Sequence, residues 1–203
     1  FRGVTIALKG GKTETIKAED VVDVYYKDET ADYKAAMEAF RKNSYGDAIE
    51  KFKAALANKD KEKTKVREWI NQYAAYYTAR CMAIQGDKGA AAAYEKIRKD
   101  FPETRFLLPC YREEFDCHIK ARDAAGAQRV LDELASSSKI TDESLKTDMK
   151  IALANILFET KQMDKAQTEF SKLTAHPDLA VAAMAMEGVI RCLQQSSKGG
   201  EVE

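Results

Sequence analysis

The sequence has no charge of either sign to spare: 33 Lys and Arg stand against 33 Asp and Glu in 203 residues. That balance argues against a general nucleic-acid binder, which carries a basic excess to neutralise phosphates. No apolar run approaches the roughly 20 residues that a membrane-spanning helix needs, so membrane insertion is not expected. Ten Gly and three Pro are too few for a loop-rich or low-complexity chain. There are only four cysteines, and Cys110 and Cys117 lie seven apart in a segment that reads as helix. Two helical turns separate their Cα atoms by about 10 Å, whereas a disulfide tolerates at most about 7 Å, so that pair should not bridge. Two histidines are present, neither near a nucleophile elbow. There is no His-Glu-x-x-His, no paired-cysteine zinc signature and no dinucleotide fingerprint. No enzymatic activity, no cofactor and no metal site are therefore expected. The chain opens at Phe1 rather than Met, as a processed or cut chain would, with no visible signal peptide.

What is present changes character near residue 28. Before it the pattern is strand-like. Val4, Ile6 and Leu8 alternate with Thr5 and Ala7, and Lys9-Gly10-Gly11-Lys12 supplies the positive φ of a tight turn. Thr13 to Ile16 suits a returning strand, and Val21, Val22, Val24, Tyr25 and Tyr26 form a third β-rich run. Residues 1–28 thus read as a β-hairpin with a short strand, too small to be stable alone.

From residue 29 to 197 nearly everything reads as helix. The predicted order is a helix around Ala36 to Phe40, one around Ala48 to Leu56, Glu68–Ile84, Ala90–Lys99, Thr104–Arg122, Ala124–Ser136, Asp142–Lys161, Asp164–Ala175 and Pro177–Gln195. Short breaks between them describe antiparallel helical hairpins. Residues 198–203 read as a flexible tail.

The second helix of each hairpin carries a small residue, then an aromatic or leucine four later, then an apolar residue three beyond. The sets are Ala48, Phe52, Ala55; Ala90, Tyr94, Ile97; Ala127, Leu131, Leu134; and Ala166, Phe170, Leu173, starting 42, 37 and 39 residues apart. The small residue lets two helices approach, and the large one a turn later fills the groove. With Tyr45-Gly46-Asp47-Ala48-Ile49-Glu50-Lys51-Phe52, Gln85-Gly86-Asp87 and Pro102, this pattern resembles the tetratricopeptide repeat, a helix–turn–helix unit of about 34 residues. The likeness covers four hairpins and a fifth, unpaired helix. Its periods are longer than the family's, the Trp-Leu-Gly signature is missing, and Pro stands in place only at Pro102. The resemblance implies a mainly α fold: an α-solenoid of antiparallel hairpins, a tetratricopeptide-like superhelix behind a small N-terminal β segment. Aligned on the repeats, Cys81, Cys117 and Cys192 share one position of the first helix, which reads as a packing position.

Other constellations favour plain explanations. Gly11-Lys12-Thr13 mimics the end of a phosphate-binding loop, but Ile6 stands where that loop needs glycine, and a strand follows rather than a helix. Glu114 and His118 share a helix face with Cys110 nearby, yet a solvated Glu–His pair explains them without a metal. His176, before Pro177, reads as a surface residue at a helix end. Lys59, Lys61, Lys63, Lys65 and Arg67 read as a solvated loop and helix start, or a patch for an acidic partner.

A solenoid offers a concave face lined by its first helices. The groove-facing candidates are Tyr33, Met37 and Arg41; Tyr73, Tyr76 and Arg80; Arg112, Asp116 and Lys120; and Ile151, Asn155 and Glu159. Aromatics beside arginines have the composition of binding hot spots, while tyrosines at helical spacing equally suit a core between repeats. The expected function is a protein-interaction scaffold whose partner is a protein or peptide. The family's carboxylate clamp of Lys, Asn and Arg cannot be assembled here. The alternative is a self-assembly module, a homo-oligomer, using the N-terminal strands or an exposed last helix. That helix, from Pro177 to Gln195, has more apolar surface than one neighbour can cover. A lysine-and-glycine hairpin ahead of helical repeats also resembles modular bacterial repeat proteins of the cell envelope, which would favour envelope over cytoplasm.

Overall fold

The computed structural model describes residues 3–7, 10–17, 26, 29–58, 68–137, 140 and 142–199. Strands β1 (Gly3–Ala7) and β2 (Thr13–Lys17) pair antiparallel in the register Gly3 with Lys17 and Ala7 with Thr13. Gly10 and Gly11 take φ of 92° and 78° in the connection, a conformation that side chains disfavour. The predicted third strand, residues 21–26, lies outside the described residues except for Tyr26, which has no regular structure.

The described helices are α1 (Ala31–Arg41), α2 (Tyr45–Asn58), α3 (Glu68–Ile84), α4 (Ala90–Asp100), α5 (Leu107–Lys120), α6 (Ala124–Ser136), α7 (Glu143–Glu159), α8 (Met163–Ser171) and α9 (Leu179–Gly199). The chain is mainly helical, with neighbouring helices packed together. Helix α9 includes Lys198 and Gly199, where a flexible tail was expected. Contacts divide the chain into two compact units, 1–113 and 114–203, and the division falls inside α5.

In the first unit, Thr30 caps α1: its Oγ1 accepts the Tyr33 N–H at 3.2 Å. Helices α1, α2, α3 and α4 pack in sequence, and α1 also touches α3. The core is aromatic. Phe52 of α2 meets Tyr33 of α1 at 5.9 Å between ring centroids and stacks on Tyr77 of α3 at 5.9 Å. Tyr94 of α4 meets Tyr76 of α3 at 6.2 Å. Buried Ala36, Ala39, Ala48, Ala74 and Ala79 let these ring-bearing helices approach.

In the second unit, α6 to α9 pack in sequence and α7 also touches α9. Asp123 caps α6 and Asp142 caps α7, accepting the N–H of Gly126 and of Leu145, each at 2.9 Å. The core is mainly aliphatic, with Val130, Leu131 and Leu134 of α6 and Met149, Leu153, Ile156 and Leu157 of α7 joined by Phe115 and Phe170. Phe170 of α8 is seated against Gly188 of α9, where an added Cβ would stand 2.5 Å from the ring.

One local device recurs in both units. Asn43, Gly86, Arg122 and Lys161 have φ of 60°, 73°, 56° and 60°, one in each predicted hairpin turn. At each, the residue's N–H donates to the carbonyl three back, and the next N–H to the carbonyl five before it. The bonds are Asn43 to Phe40 and Ser44 to Ala39; Gly86 to Ala83 and Asp87 to Met82; Arg122 to Ile119 and Asp123 to His118; Lys161 to Phe158 and Gln162 to Leu157. This double bond is the Schellman ending of a helix. The twelve motif positions, from Ala48, Phe52 and Ala55 to Ala166, Phe170 and Leu173, are all buried. The repeat visible in the sequence is thus a repeat of turn geometry and of buried positions.

Candidate interaction surface

Helices α1 and α3 are the predicted first helices of the first unit, and they pack side by side. Arg41 at the end of α1 and Arg112 on α5 are exposed. Arg80 of α3 lies between them in type: its side chain is 37% exposed and its Nε stands 3.7 Å from Glu113 Oε1. Its guanidinium lies 5.7 Å from the Phe40 ring centroid and 5.8 Å from that of Tyr76. The cation thus lies against two rings, with a carboxylate nearby in a partly exposed and weak ion pair. Phe40 is half-buried beneath it, and Met37, also on α1, is half-buried.

The tyrosines among the candidates occupy a different place from the one a groove requires. Tyr33, Tyr73 and Tyr76 retain 4%, 4% and 6% of their surface. Tyr73 meets Tyr26, Trp69 and Phe106 edge-on, and Tyr76 stacks on Phe106 at 4.1 Å. Burial pushes the Tyr73 hydroxyl up to about 12, although Arg105 donates to it at 3.3 Å and opposes the shift. Burial likewise raises Tyr76, against the Arg80 charge. These rings are buried in the core of the first unit, and of the three Tyr76 lies beneath the Arg80 guanidinium. The reason is positional, since each sits where α1 or α3 faces another helix.

In the second unit Asp116 and Lys120 are exposed, and Ile151 and Asn155 are half-buried. Glu159 is exposed and lies 3.9 Å from Arg122. A pocket of about 670 Å³ opens elsewhere in this unit, with Leu153 and Leu157 at its floor and Arg122, Asp123, Gln128 and Lys165 among its walls. It gathers the starts of α6 and α8, the second helices, and nothing in the repeat pattern pointed to it. The small residues Ala124, Ala125 and Gly126 that open α6 were the available sign.

The remaining candidates resolve as follows. Among the described residues no three His, Cys, Asp or Glu side chains are grouped to hold a metal. His118 Nδ1 stands 2.9 Å from Asp123 Oδ2, so it joins the α6 cap. Asp123 is held below its ordinary value first by the Gly126 N–H and then by His118. Glu114 is buried rather than solvated. None of the four cysteines is joined in a disulfide. Cys81 and Cys192 are buried, and burial raises both thiols, Cys81 to about 11. Cys117 departs from the shared packing position: it is half-buried, while Cys110, Tyr111, Glu114 and Phe115 are the buried residues of α5. His176 is half-buried rather than on the surface, its Nε2 3.4 Å from Thr147 Oγ1. Gly11 lies in the β1–β2 connection and Thr13 opens β2, so that triplet is a hairpin turn. The basic stretch 59–67 lies outside the described residues. No helix among the described residues is long and apolar enough to cross a membrane.

Compared with protein-family models and with curated proteins, the chain matches no family and no curated relative.

Proposed function

We propose that the chain is a non-enzymatic interaction scaffold of the tetratricopeptide-like, α-solenoid kind, which binds a peptide or protein segment along its first helices. The observation that carries this reading is the recurrence itself. Four hairpins share one turn geometry and one set of buried positions, and in each unit first helices lie side by side, α1 with α3 and α7 with α9. Repeats of this kind spend their second helices on packing and leave their first helices to form a continuous face. On that face Arg41, Arg80 and Arg112 supply charge and donors, and Met37 and Phe40 supply apolar contact, which is the mixed chemistry of a peptide-binding strip. In the second unit Asp116, Lys120 and Asn155 are the corresponding polar groups.

The test is a selection of displayed peptides on the wild-type chain, followed by calorimetry of those enriched. Arg80→Glu and Arg112→Glu alter the strip at half-exposed and exposed side chains and remove no buried ring. A selected peptide should lose about tenfold or more in affinity for Arg80→Glu, the usual cost of removing one well-held charged contact. Tyr73→Ala is unsuitable, because it removes a buried ring and damages the fold. Enrichment of nothing, or binding by both variants as tight as that of the wild type, would refute the reading.

A further inference from the structure

The aromatic cluster of the first unit holds one tyrosine that belongs to no helix. Tyr26, ahead of the Thr30 cap of α1, lies flat on the Trp69 ring of α3, with centroids 4.2 Å apart and an interplanar angle of 7°. Tyr73 of α3 meets Tyr26 edge-on at 5.6 Å, and Tyr33 of α1 meets Trp69 edge-on at 4.9 Å. The Tyr26 hydroxyl adjoins that of Tyr73, which it helps to hold above its ordinary value. Arg105 donates to the same Tyr73 oxygen at 3.3 Å. The slot thus offers a ring face, a ring edge and a hydroxyl partner. Together these suit a phenol better than an aliphatic side chain or a phenylalanine.

Tyr26 is an incomplete occupant. Tyr26 and Trp69 both stay half-buried, whereas Tyr33 and Tyr73 each keep only 4% of their surface. The Trp69 Nε1–H is buried and meets no acceptor among the described residues. A buried indole N–H usually finds a partner, and one left unpaired weakens the arrangement that leaves it so. An occupant that stacks on Trp69 and also brings a carbonyl oxygen satisfies that donor.

We propose that the Trp69 slot is an exchangeable tyrosine site: Tyr26 fills it as an intramolecular ligand, and a tyrosine of a partner peptide, bringing a backbone carbonyl for the Trp69 N–H, takes its place. Tyr26 then sets a threshold, because the affinity for a partner falls by the fraction of time that the slot is empty. The slot is built on α1 and α3, but its occupant needs no charge. It can therefore hold if the arginine strip fails, and the reverse.

The test uses the whole chain and N-acetyltyrosinamide, a neutral probe with a phenol ring and carbonyl groups. Trp69 is the single tryptophan of the chain, so its indole N–H resonance reports the slot alone. Tyr26→Ala should bind the probe saturably and about tenfold more tightly than the wild type. Tyr26→Phe, which keeps the stacked ring, should fall between them. If Tyr26→Ala lowers helicity by circular dichroism, the comparison of Tyr26→Phe with the wild type decides alone. N-acetylphenylalaninamide should bind about threefold or more weakly than the tyrosine probe, and Tyr73→Phe should abolish that preference. At about tenfold more probe, the wild-type resonance should reach the position seen in the bound variant. A variant that keeps its helicity and binds the probe no better than the wild type would overturn the proposal. So would equal binding of the two probes, or a wild-type resonance that never moves, which would make Tyr26 fixed packing.

Discussion

Replacing Lys161 by glycine is expected to stabilise the protein, although it deletes a side chain and adds no contact. Lys161 ends α7 with φ of 60°, its N–H bonded to the Phe158 carbonyl at 3.0 Å. A left-handed backbone costs a residue with a Cβ about 1–2 kcal/mol. Glycine escapes that cost but loses more backbone freedom on folding, about 0.5–1 kcal/mol. The difference is a net gain of about 0.5–1 kcal/mol. In a chain of this length, it raises the melting temperature by about 1–4 °C. The reciprocal change is Gly86→Ala. Gly86 has φ of 73°, and an added Cβ would meet nothing within 4 Å, so no packing term enters. It should cost about 1 kcal/mol through the backbone alone. Thermal and urea melts followed by circular dichroism read both. If Lys161→Gly is neutral or destabilising while Gly86→Ala is tolerated, the four turns do not carry the strain assigned to them.

Three further substitutions probe the same architecture. Phe52→Ala empties the ring site between α1, α2 and α3 and should cost about 3–5 kcal/mol in a urea melt. Gly188→Ala drives a methyl group toward the buried Phe170 ring and should cost about 1–3 kcal/mol by overpacking, again read as a shifted urea midpoint. Asp123→Ala removes the cap of α6 and should cost about 1 kcal/mol at neutral pH. Because the folded Asp123 is held below its ordinary 3.8, the unfolded chain takes up that proton first. The cap's charge-dependent stability is therefore full above about 3.8 and is lost as pH falls from there through the lowered folded value. Melts of wild type and Asp123→Ala should converge across that acid window and stay parallel at higher pH.

The motif positions were legible in the sequence because a small residue and an aromatic at fixed spacing have one use, the close approach of two helices. Ala48 with Phe52 and Ala166 with Phe170 are buried where that argument put them. The helix order was legible for the same reason, since apolar periodicity and breaks such as Gly86-Asp87 are local signals. The left-handed turns at Arg122 and Lys161 were not, because arginine and lysine carry no mark of positive φ. Only their alignment with Gly86 and Asn43 identifies them. The tyrosines were ambiguous in principle. Tyr33 and Tyr76 lie on helices with more than one neighbour, and periodicity cannot say which face a third helix will cover. The exposed side of α9 was half legible: its apolar excess stands in the sequence, while which residues α8 leaves uncovered, Met186 and Ile190 among them, is fixed by packing.

The proposal that first helices bind a partner is tested most directly by hydrogen exchange of the chain with and without a selected peptide. Slowed exchange should appear in α1 and α3, around Met37 to Arg41 and Tyr76 to Arg80, with α2 and α4 unchanged. Protection confined to α2 and α4, or to the pocket walls at Asp123, Gln128 and Lys165, would contradict it.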